Sequence, residues 1–246
     1  MSDLVEVTGI VIASGPIGEY DKRVVLLTKE LGKISAFARG ARRPGNQLMA
    51  ACESFAFGRF LIYQGRNSYC IEKAEIKNYF RELAADIESA YYGYYFLELA
   101  DYFARENVDE TQLIKLIYYS LKALLDERIT NELVRAVYEF KLLVINGQYP
   151  DMFECVACGK TEKIAGFSIR QKGVVCSDCM EQKSVINISS STLYTFQYII
   201  TTKTEKLYSF VVTNEVLSEM KNVMAECMAE FVDKKMKSID ILDMLN

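Results

Sequence analysis

Apolar and polar residues alternate through the first eighty positions, in short runs broken by glycine. Val5, Val7, Gly9, Val11 and Ala13 alternate with Glu6, Thr8, Ile10 and Ile12, a two-residue period that predicts a strand. Gly15-Pro16-Ile17-Gly18 reads as the turn that follows. Arg23 to Thr28 is a second strand, and Glu30-Leu31-Gly32-Lys33 turns into a third, Ile34 to Arg39. Phe55 to Tyr63 and Tyr69 to Ile76 make a fourth and a fifth, joined at Gly65-Arg66-Asn67-Ser68. Five short strands of this kind predict a small closed barrel. The oligonucleotide-binding (OB) form leads and an SH3-like barrel is the alternative.

Beyond Phe80 the apolar period becomes helical. Asp86 to Glu106 carries Tyr91, Tyr92, Tyr94, Tyr95 and Tyr102, read as core and groove walls. Asp109 is placed to cap a second helix, with Gln112 completing a capping box and Leu113, Leu116, Ile117, Leu121 and Leu124 as its stripe. A third helix starts at Thr130 and ends at Gly147. Ser189 to Thr202 and a long helix capped by Asn214 follow, and Ile239 to Leu245 ends the chain as a short amphipathic piece.

Cys155-Val156-Ala157-Cys158 and Cys176-Ser177-Asp178-Cys179 interrupt the helical pattern. Each CxxC turn places two sulfurs on one side of a bend, and two such turns close a tetrahedron around Zn²⁺. Gly166 to Arg170, the turn Gln171-Lys172-Gly173, and Val174-Val175 read as a hairpin between the knuckles, a zinc-ribbon pattern. A dithiol redox pair would want one CxxC within a βαβ pattern, which is absent. The expected fold class is therefore α+β and multidomain. Residues 1–80 form an OB barrel, 81–150 the first part of a helical domain, 151–185 an inserted four-cysteine zinc hairpin, and 186–246 the second part of the helical domain.

Composition narrows the chemistry. The 246 residues are 50% hydrophobic, enough for real cores, yet no run of eighteen apolar residues predicts a membrane span. The first residues do not read as a signal peptide, and seven cysteines then suggest a reducing cytoplasm. Cys52, Cys70 and Cys227 sit singly among apolar neighbours and are expected as small buried hydrophobes. The chain has no histidine. This removes Ser-His and Cys-His catalysis and the commonest general base, and no catalytic residue is expected. A metal-dependent nuclease would need a carboxylate cluster, whereas the acids here are scattered over helix faces.

The net charge of −4 hides an asymmetry. Residues 1–80 carry eleven Lys/Arg against eight Asp/Glu, and the remainder eighteen against twenty-five. From Lys33 to Gln47 there are four positive charges, Lys33, Arg39, Arg42 and Arg43, and no acid. Lys22 and Arg23 open the second strand and are expected on the same edge. With Tyr20, Phe37 and Tyr63 nearby, the mixture suits single-stranded nucleic acid: cations along phosphates, flat rings under bases. The same features would serve an RNA-binding barrel-and-ribbon module. The later cluster Lys234-Lys235-Met236-Lys237 reads as a solvated helix end.

Taken in order, the chain resembles the RecO family of bacterial recombinational repair proteins. The resemblance is carried by Thr8-Gly9-Ile10-Val11-Ile12, Gly18-Glu19-Tyr20-Asp21-Lys22-Arg23-Val24-Val25-Leu26-Leu27-Thr28 and Gly32-Lys33. It continues through Ala38-Arg39-Gly40-Ala41-Arg42-Arg43, Tyr95-Phe96-Leu97-Glu98-Leu99 and the four cysteines. Pro44-Gly45-Asn46 departs from the family's basic loop. The resemblance implies a non-enzymatic protein, cytoplasmic and associated with the bacterial nucleoid, that binds single- and double-stranded DNA and anneals complementary strands. It implies work with RecR to place RecA on DNA coated by the single-strand-binding protein, whose acidic C-terminal tail is also bound. It implies structural Zn²⁺ on Cys155, Cys158, Cys176 and Cys179, and DNA contacts through the basic loop at Arg39, Arg42 and Arg43; the charge pattern adds Lys22, Arg23 and Lys33 to the expected DNA-binding residues.

Overall fold

A computed structural model describes residues 3–65, 68–180 and 185–245; Arg66 and Asn67 of the expected β-turn lie outside the described residues. The chain folds as two compact units, residues 1–125 with 236–246, and residues 126–235.

The first unit is built on a closed barrel of β1 (Asp3–Ile17), β2 (Asp21–Thr28), β3 (Gly32–Ala38), β4 (Phe57–Gln64) and β5 (Tyr69–Asn78), in the order β1-β2-β3-β5-β4. The seam between β3 and β5 is parallel and short, with Ala36 opposite Tyr69 and Phe37 opposite Cys70. This is the expected OB barrel, not the SH3-like alternative. Val7, Val24, Leu26, Phe60, Ile62 and Ile71 fill its interior. Burying each such side chain contributes roughly 1.5–3 kcal/mol. The first turn lies later than expected: β1 runs through Pro16, paired with Lys22, and the chain reverses at Gly18–Tyr20.

A bulge between Val11 and Ala13 lets β1 bury both faces. Val11 packs inward, while Ile10, opposite Leu27, is fully buried outside the barrel core. That outer apolar face recruits helices. α1 (Leu48–Ala51) is a single turn between β3 and β4. α2 (Ile87–Phe103), capped by Asp86, packs on β1, and α3 (Thr111–Ala123) on β2. The rings of Phe55 and Tyr94 meet at 4.8 Å and those of Phe57 and Tyr118 at 4.9 Å. Tyr92 and Tyr95 are core residues, as expected. The β2–β3 turn docks on the chain after α2: Lys33 N donates to Arg105 O at 2.9 Å and Asn107 N to Leu31 O at 2.9 Å. Gly32 has φ +65°, and a Cβ there would lie 2.2 Å from Arg105 O, so only glycine fits. α7 (Lys237–Leu245) returns to pack on α2.

Two caps differ from expectation. Asp109 accepts from Thr111 N at 2.9 Å but sits one residue too early to be the cap of α3, which is Glu110. The cap of the last long helix is Thr213, not Asn214. Lys234–Met236 lies between that helix and α7, with Met236 buried.

The second unit holds α4 (Asn131–Ile145), a sheet of β6 (Ile164–Ser168), β7 (Gly173–Cys176) and β8 (Val185–Asn187) in the order β7-β6-β8, then α5 (Ser190–Thr201) and α6 (Asn214–Phe231). The rings of Phe140 of α4 and Phe196 of α5 meet tilted, with centres 4.6 Å apart. α5 is held at both ends by charge of the sign its dipole favours. Glu219 of α6 accepts from Ser189 N at 2.7 Å and Ser189 Oγ at 2.9 Å at its start. At its end the buried Lys141 of α4 donates to the carbonyls of Ile199, Ile200 and Thr202 at 2.8, 3.2 and 2.8 Å. Burial lowers the Lys141 pKa, and these three acceptors use all three of its donors. Among the described residues no helix is long and apolar enough to cross a membrane.

Replacing Lys141 by Met leaves three carbonyls without their donor. We expect a loss of about 1–3 kcal/mol, read as a lower urea midpoint for the second unit. An unchanged midpoint would show that α5 closes its own C-terminus.

Candidate metal centre and nucleic-acid interface

The sulfurs of Cys155, Cys158, Cys176 and Cys179 all lie within 4.8 Å of one another, with Cys158 Sγ 3.7 Å from Cys176 Sγ. Sulfurs about 2.3 Å from a central ion at tetrahedral angles stand about 3.8 Å apart. The cluster is therefore sized for a metal ion. The first knuckle is wound by Cys158 N and Gly159 N, which both donate to Cys155 O, at 3.3 and 2.7 Å. The second is a 3₁₀ turn, Ser177–Cys179, anchored where Ser177 N donates to Lys163 O at 2.9 Å. Val156 N donates to Val174 O at 2.9 Å and brings the knuckles together. A Cβ on Gly173 would lie 2.3 Å from Val156 Cγ1, so this approach also demands glycine.

The electrostatics favour a cation. Burial raises the Cys155 thiol, but the N–H groups of Cys176, Ala157 and Cys158 outweigh it and pull the pKa well below the ordinary thiol value. Cys179 is pushed up, first by its hydrogen bonds to the Cys158 and Cys176 sulfurs, because several thiolates at this spacing repel one another. A divalent ion removes the conflict. Lys160 and Asp178 pair at 2.9 Å across the two knuckles, a brace the sequence did not announce. Four thiolate ligands leave no position for a reacting water. The expected hairpin is present, and β8 extends it to three strands.

The cations of the barrel separate into two groups. Lys22 and Arg23 do not share an edge, because neighbouring residues of a strand face opposite ways. The Lys22 side chain is only 12% exposed and is ion-paired with Glu53. Lys33 is half-buried, 3.2 Å from the Asp101 carboxylate. Both are engaged at home. Arg23, Arg39, Arg42 and Arg43 are exposed, and none has a carboxylate partner among the described residues.

These arginines gather where two loops are sewn together. Arg42 Nη1 donates to Gly18 O and Glu19 O at 3.3 and 3.1 Å, and Arg42 N donates to Tyr20 O at 2.8 Å. Gly40 N donates to Asp21 Oδ1 at 2.7 Å, and the Arg43 guanidinium lies 4.7 Å over the Tyr20 ring. Tyr20 is thus already stacked. Arg39 lines a cleft of about 480 Å³ with Asn46, Gln47, Cys70, Glu72 and Lys73. Cys52 and Cys227 are buried and their thiols pushed up to about 12, mainly by burial. Cys70 departs from the expected fully buried cysteine: it is half-buried on the outer face of the barrel.

Comparison with known proteins is consistent along the whole chain. The family described as "Recombination protein O N terminal" matches residues 1–80, and "Recombination protein O C terminal" matches 84–240. "DNA repair protein RecO" of Acetivibrio thermocellus is 31% identical over 97% of this chain and 96% of its own length. The protein of that name from Clostridium novyi is 30% identical over 92% and 89%, and that from Alkaliphilus metalliredigens 28% over 94% and 95%.

Elemental analysis of the purified chain should find one thiophilic divalent metal per molecule, and Cys158→Ser should lower that content while making residues 151–188 more sensitive to protease. A metal-free wild-type protein with a protease-resistant ribbon would contradict the fit.

Proposed function

Because the chain belongs to the RecO family of DNA repair proteins, we propose that it binds single- and double-stranded DNA and anneals complementary strands. With RecR, it helps load RecA onto DNA coated by single-strand-binding protein, whose acidic C-terminal tail it also binds. It performs no bond chemistry and works in the cytoplasm at the nucleoid. The barrel of residues 1–80 holds the DNA. The helical segments 81–150 and 186–246 supply protein-contact surface, and the ribbon of 151–185 is braced by a structural Zn²⁺ on its four cysteines.

One observation carries this reading: Arg23, Arg39, Arg42 and Arg43 form an exposed cationic corner without carboxylate partners among the described residues. Annealing brings two polyanions together. Guanidinium groups that displace counterions from phosphate lower that repulsion for any sequence. Arg42 also ties down the loop that presents Arg43, so the charge is held in place before DNA arrives. Lys22 and Lys33 enter the proposed DNA site as weaker members, since each must first release an acid.

The Arg39→Ala, Arg42→Ala, Arg43→Ala triple variant should weaken oligonucleotide binding. If each arginine contacts one phosphate, the log–log salt slope on a single strand should flatten by about 2. An unaltered slope removes this corner from the interface. Strand annealing by the wild-type protein, with and without single-strand-binding protein, tests the activity itself; no annealing at low ionic strength would reject it.

A further inference from the structure

We propose that the outer face of the barrel carries a base-stacking platform, built on Phe37 and Tyr63, that takes two or three consecutive unpaired bases. The inference rests on the DNA-binding reading above and deepens it. It assigns the cationic corner to the phosphates and a separate row of side chains to the bases.

The row follows from strand register. Arg23 lies opposite Phe37, Phe37 opposite Cys70, Cys70 opposite Tyr63, and Tyr63 opposite Leu4. Residues directly opposite on paired strands share a face, so these five form one line across all five strands. Their neighbours Val24, Ala36 and Ile62 point into the barrel core. The row is open: Phe37 is 37% exposed, Tyr63 38% and Leu4 59%. Strands stand about 4.8 Å apart, so Phe37 and Tyr63, with one strand between, are separated by about 10 Å. That is about three steps of a stacked strand at 3.4 Å per nucleotide. The residue between them is the short, half-buried Cys70.

Charge says what the row receives. Arg23 closes one end, held by its Nε donating to Ser35 Oγ at 2.9 Å. Arg39 stands beside Cys70 in the adjoining cleft, which Glu72 and Lys73 also line. Arg42 and Arg43 lie on the loop that leaves β3 next to Phe37. An apolar protein segment has no use for four guanidinium groups around two rings, whereas a nucleic acid strand uses both. Tyr20 lies outside this row, in the turn after β1, where the Arg43 guanidinium sits 4.7 Å from its ring centre. The strands 2–3 face of an OB barrel is also where this fold admits oligonucleotides. Duplex DNA hides its base faces, so the platform distinguishes single strands while the arginine corner binds both forms.

The test uses the full chain with two probes of equal length and charge, a fifteen-nucleotide oligo-dT and a fifteen-unit abasic deoxyribose-phosphate strand, read by fluorescence anisotropy over a series of salt concentrations and compared at matched salt. We expect oligo-dT to bind at least about tenfold more tightly than the abasic strand. We expect Phe37→Ala with Tyr63→Ala to erase that difference while leaving abasic binding and the salt slope unchanged. Phe37→Tyr should retain it, which separates stacking from a general loss of apolar surface. Equal wild-type binding of the two probes overturns the platform. If the arginine triple variant still flattens the salt slope in that case, the DNA-binding reading stands alone; if neither probe binds, both fall.

Discussion

What the N-terminal unit presents to its surroundings depends on a short parallel seam, Ala36 beside Tyr69 and Phe37 beside Cys70. A strand has a two-residue period, so a slip of one position would exchange every inward and outward side chain. The seam is set from both sides. Ala36 and Ala38 are small, buried residues facing the core, and Ile71 fills the interior just beyond. With that register, Arg23, Phe37 and Tyr63 emerge on one line and the chain leaves β3 directly into Arg39. The short pairing also leaves that edge of β5 uncovered beyond Cys70, and Asn46 with the start of α1 at Leu48 closes the gap as one wall of a cleft.

Local neutralisation then decides which cations remain available. Seven basic residues lie between Lys22 and Arg43, around the second and third strands, but acids distant in the chain claim two of them. Glu53 takes Lys22 and Asp101 takes Lys33, while the arginines of the 39–43 loop meet carbonyls and a ring instead. A carbonyl or a tyrosine face orients a guanidinium without cancelling its charge, so the corner stays positive although the whole chain carries −4. The difference between lysine and arginine matters here. An ammonium is a point charge that a single carboxylate neutralises, whereas a planar fork retains free donors after two carbonyl contacts.

The four cysteines obey a different logic, in which geometry comes before the ion. Backbone donors wind each knuckle, Gly173 permits the close approach, and the sulfurs end at a spacing a tetrahedral metal requires. Their mutual repulsion makes the cluster an incomplete structure by itself, since thiols that cannot all ionise cost stability until a cation binds them. The neighbouring α5 meets the same requirement with protein groups alone: Glu219 at its N-terminus and Lys141 at its C-terminus.

Period and spacing were enough to read the barrel, the helices and the metal cluster, because each is a local pattern. Alternation in β2 to β5, the apolar stripes of α3 and α4, and the paired CxxC turns specify their elements within a dozen residues. The resemblance to a repair family was likewise legible in the ordered motifs. Only the tertiary structure decided that Glu53 claims Lys22 and Asp101 claims Lys33, that Cys70 is only half-buried, that Pro16 still belongs to β1, and that Thr213 is the cap of α6. These outcomes depend on partners thirty or more residues away, or on one residue of register. Neither leaves a mark in a window of sequence, because a side chain's charge is written in the chain but its neutralising partner is chosen by packing.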